Sequence, residues 1–180
     1  MRLAILLIII SVFACKTEDK EVILSKPLKV SDNEIVNYIP YCNDRFNACF
    51  DYPSNFGAQP EPANGDGRSF INKIDSAEIT MYGFLDHENG GLANQIDLLK
   101  EFMDIETLTE IQSGIEVSGV EIESGKIHKE RILIKPDTTS GITLANGEPV
   151  NIIYSLQFVY PKSKDKKYQF YWQKMTEKFR

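Results

Sequence analysis

Apolar and polar residues alternate most regularly over 150–160. Val150, Ile152, Tyr154, Leu156, Phe158 and Tyr160 fall on one face, and Asn151, Ile153, Ser155, Gln157 and Val159 on the other. A wholly apolar face opposite a mixed one predicts a central strand covered on at least one side, and Pro161 stops it. A second period-two run places Ala77, Ile79, Met81 and Gly83 opposite Glu78, Thr80, Tyr82 and Phe84, and the preceding 68–74 is expected to pair with it. In 46–52, Phe46, Ala48, Phe50 and Tyr52 alternate with Asn47, Cys49 and Asp51 until Pro53 ends the run. Shorter strands are expected at 38–43, 119–123 and 126–135. Helical spacing occurs twice. Leu92, Ile96, Leu99, Phe102, Met103 and Leu108 predict a helix over 92–111, ending at Ser113-Gly114 with Gly114 in the left-handed C′ position. Tyr168, Tyr171, Trp172, Met175 and Phe179 form one stripe of a final helix starting near Asp165. Both stripes read as core, the second docking on the sheet rather than on a membrane or partner.

Turn chemistry separates these elements. Asn64-Gly65-Asp66-Gly67 favours a tight turn, and it lacks the regularly spaced oxygen ligands of a calcium loop. Ser124-Gly125 is a turn or a bulge, and 136–149 is a long loop or a loop with a small hairpin. If 38–43 and 46–52 form a hairpin turning near Asp44-Arg45, Cys42 and Cys49 face each other across it. An exported chain meets oxidising conditions, so a Cys42–Cys49 disulfide is expected, with two free thiols or a metal site as alternatives. Six residues separate these cysteines, which excludes a thioredoxin-like motif.

The N-terminus changes the picture most. Arg2 precedes an apolar run from Leu3 to Phe13, too short for the roughly 20 residues that span a bilayer. Val12-Phe13-Ala14-Cys15 then resembles a bacterial lipobox, in which the cysteine sulfur receives diacylglycerol and becomes the mature N-terminus. The alternative is an ordinary secretory signal with Cys15 as a bystander. On the lipoprotein reading, 1–14 is a signal peptide, 15–37 carries the lipidated Cys15 and a linker, and 38–180 is one domain. Lys16 to Glu21 reads as a solvated tether, or as an acidic surface-export signal of the kind some Bacteroidota lipoproteins carry. Ser31 to Glu34 is suited to cap a short helical turn. The expected location is the bacterial envelope, with the outer membrane favoured and its face undecided.

The chain of 180 residues carries a formal charge of −6, yet residues 161–180 hold seven basic against two acidic residues. An acidic body argues against nucleic acid as a partner. The basic end reads as a solvated helix face, with an anionic headgroup or acidic partner as the alternative. Candidate chemistry is sparse. Asp86-His87-Glu88 reads as a solvated loop rather than a metal site. His128, between Ile127 and Lys129, reads as an ordinary solvent-facing strand residue. No catalytic residue, cofactor or metal ligand is selected.

The segments Phe50-Asp51-Tyr52-Pro53, Asn64-Gly65-Asp66-Gly67-Arg68-Ser69-Phe70, Gly125-Lys126-Ile127 and Phe158-Val159-Tyr160-Pro161, followed by an aromatic C-terminal helix, resemble the PsbP-like superfamily in wording and order over 38–180. The resemblance implies an α+β fold: an antiparallel sheet of about six strands flanked by helices, an α/β/α sandwich. It also implies a non-catalytic binding or assembly module, whose partner would be another envelope protein. A small-ligand carrier, or an enzyme with an unrecognised carboxylate-based site, are the other readings. The Cys42/Cys49 pair is not a feature expected across that family.

Overall fold

The computed structural model describes residues 36–180. The expected signal peptide, lipidated Cys15, tether and 31–34 cap lie outside the described residues. The strands in chain order are β1 (Tyr38–Asn43), β2 (Ala48–Pro53), β3 (Gly57–Ala58), β4 (Gly67–Asn72), β5 (Ala77–Asp86), β6 (Met103–Ile111), β7 (Gly114–Glu121), β8 (Ile127–Pro136) and β9 (Asn151–Tyr160). Helix α1 (Gly91–Phe102) lies between β5 and β6, and α2 (Asp165–Lys178) follows β9 through a 3-10 turn, Lys162–Lys164. Strands β3 to β9 form one antiparallel sheet of seven, ordered β3-β4-β5-β9-β8-β7-β6. The fold is therefore α+β, with seven strands in the sheet rather than six, and β1 and β2 pair separately as a hairpin.

Strand β9 sits between β5 and β8, and its periodicity explains why. Its apolar face, with Leu156, Phe158 and Tyr160, joins Ala77, Ile79 and Met81 of β5 in the larger core. Tyr168, Tyr171, Trp172 and Met175 of α2, with Phe179 just beyond its end, all point into that core, and the hairpin adds Ala48 and Phe50 beside them. The C-terminus is stitched to the hairpin by two backbone hydrogen bonds between Arg180 and Cys49. On the opposite face, Leu99 and Met103 pack with Ile115, Val117, Ile132 and Ile153 under α1. One helix thus covers part of each face.

The expected helix over 92–111 is corrected: it is half helix and half strand. Met103 leaves the helical region at φ −140° and ψ 145°, and the chain continues as β6. Ile105, Thr107, Thr109 and Ile111 are all β-branched, which favours extended backbone, and Gly114 opens β7 instead of ending a helix. The left-handed residue is Ser113, in the β6–β7 turn. Boundaries also move: β2 begins at Ala48, because 44–47 form the turn, and β4 stops at Asn72, leaving Ile74 in a turn. The expected loop over 136–149 is the connection 137–150, pinched by a bridge between Thr143 and Pro149, because β8 runs on to Pro136.

In the hairpin, Cys42 lies opposite Cys49, and the two are joined as a disulfide seven residues apart. The cross-link holds the hairpin that roofs one side of the larger core. Replacing both cysteines with serine should lower unfolding free energy by about 2–2.5 kcal/mol, from loop-closure entropy. Denaturant titration with and without reductant checks this, and an unchanged midpoint would remove the stabilising role.

Candidate functional site

The face of the sheet that carries α1 is only half covered. Beyond the helix, positions on β5, β9, β8 and β7 that alternate away from the larger core hold polar side chains. Register brings Tyr82 beside Ser155, Thr80 beside Gln157, Glu130 beside Gln157, and His128 beside Gly119. The side chains of Tyr82, Ser155, Gln157, Glu130 and His128 form one connected network.

Its centre is Glu130, only 2% exposed. One carboxylate oxygen accepts from the Ser155 hydroxyl at 2.6 Å. The other accepts from His128 Nε2 at 3.1 Å and from the Gln157 amide at 3.2 Å. The Gln157 amide also donates to the Tyr82 hydroxyl at 3.2 Å. At the other end, His128 Nδ1 faces Glu121 Oε1 at 3.2 Å, and the Ser124 hydroxyl donates to the second Glu121 oxygen. His128 is 2% exposed, with the Phe102 ring 5.5 Å away, centroid to centroid. The expectation of a solvent-facing histidine is therefore wrong. Alternation gives the face a residue takes, but this face is packed around His128.

Burial by itself would push the His128 pKa down, but hydrogen bonds and charge from Glu130, and then Glu121, outweigh it and raise it. The imidazolium form fits the geometry, since each ring N–H then donates to a carboxylate oxygen. Tyr82 is pushed up to about 12, chiefly by burial and then by the Glu130 charge, so its hydroxyl stays protonated. Every polar group at the centre of the network is matched by another.

Tyr82 also belongs to an open groove of about 470 Å³ at the β4 side of the sheet. Ser69, Thr80 and Tyr82 line it from the sheet, and Gln59, Pro60, Pro62, Asn64 and Asp66 from the loop between β3 and β4. Ser69 and Thr80 hydroxyls are bonded at 2.9 Å. The loop wall is held by Arg45, which bonds the Asn64 carbonyl and pairs with Asp66, and by Arg68, which donates to the Gln59 carbonyl. The Asn64–Gly67 turn thus has a structural place as one lip of the groove, with Gly65 at φ 66°.

A smaller hollow of about 280 Å³ lies on the other face, between β6–β7 and the start of α2. Two of its acids are already engaged: Glu116 by Arg131 and the Trp172 indole, and Asp165 by the Tyr160 hydroxyl. Asp86 does not join His87 and Glu88. It is buried and accepts from the Gly90 and Gly91 amides, holding the start of α1, while His87 and Glu88 are exposed in the turn. Among the described residues, no cluster of three or more His, Cys, Asp or Glu is placed to hold a metal ion.

Sequence reasoning missed the network because its members come from four strands. The available signal was the mixed face of β9, where Ser155 and Gln157 interrupt an apolar run. Comparison of the chain with protein-family models and with curated proteins returns no match.

Proposed function

We propose that the chain is a bacterial envelope lipoprotein, anchored through lipid on Cys15, whose PsbP-like domain over 38–180 binds another envelope protein without catalysing a reaction. The observation that carries this reading is the groove backed by a saturated network. A general base needs a free lone pair near the reacting proton, whereas both His128 nitrogens are occupied by carboxylates. The other histidine, His87, stands in an exposed turn away from any such partner set. The network instead fixes Tyr82 from behind, so the groove floor is preorganised, and rigid surfaces lose less entropy on binding.

The groove is open along the sheet's β4 side, a shape that fits an extended segment of a protein partner. Its volume also falls in the range of small-ligand sites, which keeps the carrier as the second reading. The anchor is tested by replacing Cys15 with serine. The protein should leave the detergent phase and appear in the soluble fraction, because two or more acyl chains anchor stably and their loss leaves no comparable attachment. Unchanged partitioning would contradict lipidation at Cys15.

A further inference from the structure

Three connections meet at one end of the sheet: the 73–76 turn joining β4 to β5, the 122–125 turn joining β7 to β8, and the Lys162–Lys164 turn leading into α2. They are tied into one surface. Lys126 Nζ donates to the Ser76 carbonyl at 3.0 Å. Asp75, buried beneath its turn, pairs with Lys164 and Lys167 at 2.9 Å each and accepts from the Tyr168 hydroxyl at 2.8 Å. Lys73, Lys162 and Lys166 stand exposed around this knot. Asp165 is engaged by Tyr160 and Gln169, so the exposed acids at the margin are Glu78 and Glu123.

At the tip of the surface Ile74 is 95% exposed, and Ile122 in the neighbouring turn is 57% exposed. Tight turns are made by Gly, Asn, Asp, Ser and Pro for conformational reasons, none of which asks for isoleucine. Nor does Ile74 pack on the domain. An apolar side chain at the tip of a turn, next to Lys73 and on the same corner as Lys162 and Lys166, suits a boundary where hydrocarbon lies behind a layer of negative charge.

We infer that this corner is a membrane-contact site, with Ile74 and Ile122 entering the headgroup region of an anionic bilayer while Lys73, Lys162 and Lys166 meet lipid phosphates. Charge supports it twice. The lysines attract the surface, and the net charge of −6 leaves the rest of the domain repelled, which fixes an orientation. An acidic protein would use the lysines equally well, but a specific protein interface needs roughly 800 Å² per partner with a packed apolar centre. Two isoleucines on separate turns fit a fluid headgroup layer better.

The inference rests on the anchored reading only for bringing the domain to a bilayer, so its test removes the anchor. The mature chain 15–180 carrying Cys15→Ser, without the apolar run 3–13, is mixed with vesicles of phosphatidylcholine alone, or with about one third phosphatidylglycerol, and bound protein is measured by flotation over a salt series. Binding should favour the anionic vesicles and weaken with salt. Lys73→Glu with Lys166→Glu should reduce it at least 20-fold, at about fivefold per lysine lost. Ile74→Ser should reduce it several-fold without changing the salt slope. None of these side chains has a partner inside the domain, so thermal unfolding should be unchanged. Equal binding to neutral and anionic vesicles, or variants that bind like the parent, would overturn the inference. So would variants that keep vesicle binding but lose a cross-linked acidic protein. None of these outcomes bears on whether Cys15 is lipidated, which the detergent partition decides.

Discussion

Replacing His128 with alanine should destabilise the domain by about 3–5 kcal/mol, the range for removing one partner of a buried ion pair. Glu130 would keep the Ser155 and Gln157 donors but lose the charge that compensates its burial. Because the cost comes from a stranded carboxylate, His128→Leu combined with Glu130→Leu should cost less than His128→Ala alone. A double-mutant cycle by denaturant unfolding measures the coupling, and simple additivity would contradict the paired geometry. The same site gives a pH signature. His128 has its folded pKa raised above the ordinary value of 6.5. Its contribution is therefore fully present below about 6.5 and is lost as pH rises through the raised folded value. Unfolding free energy should fall as pH rises above about 6.5 in the parent, and the fall should shrink in the double leucine variant.

Replacing Trp172 with alanine should cost a similar amount, about 3–5 kcal/mol, and should loosen α2 as a unit. The indole is 4% exposed, and its N–H donates to Glu116 at 3.0 Å. Glu116 also pairs with Arg131, whose guanidinium donates to the Thr176 carbonyl near the end of α2. Trp172 therefore joins the helix to β7 and β8 through both packing and charge. Trp172→Phe keeps most of the packing and loses the N–H, so about 1 kcal/mol is expected. If α2 were a detachable partner helix, Trp172→Ala would leave stability nearly unchanged, and a loss below about 1 kcal/mol would say so.

The legibility of these features in the sequence depended on how local their causes are. Strands β5 and β9 could be read because two faces of different polarity impose a period of two along a single segment. Helix α2 could be read because five core side chains recur at helical spacing, and all five are buried. The hairpin was legible through Cys42 and Cys49, whose pairing needs only a short turn between two strands. The α1–β6 junction was not. No Gly or Pro marks the Phe102–Met103 junction, and Leu108 happens to prolong the helical stripe although it belongs to a strand. The β-branched run at 105, 107, 109 and 111 was the competing signal, and packing of β6 against β7 decided in its favour.

The polar network was less legible still. Tyr82, His128, Glu130 and Gln157 are up to 75 residues apart, and only the strand order and register bring them together. His128 was misread for a specific reason. Its neighbours Ile127 and Lys129 look like the core and solvent positions of a half-exposed strand, but β8 lies inside the sheet with side chains packed on both faces. The groove could not be read at all, because its walls come from a loop and an adjacent strand whose relative placement no local pattern encodes.

The most direct test of the binding role is in-cell cross-linking from the groove. A photo-reactive residue at position 62, on the loop wall, should capture one reproducible envelope protein, identified by mass spectrometry after membrane solubilisation. Filling the groove with Thr80→Arg should abolish that product, while Glu88→Arg, on the exposed turn away from it, should leave it intact. A binding module predicts that pattern. A product equally strong in the Thr80→Arg protein, or no protein captured above background from any groove position, would contradict it.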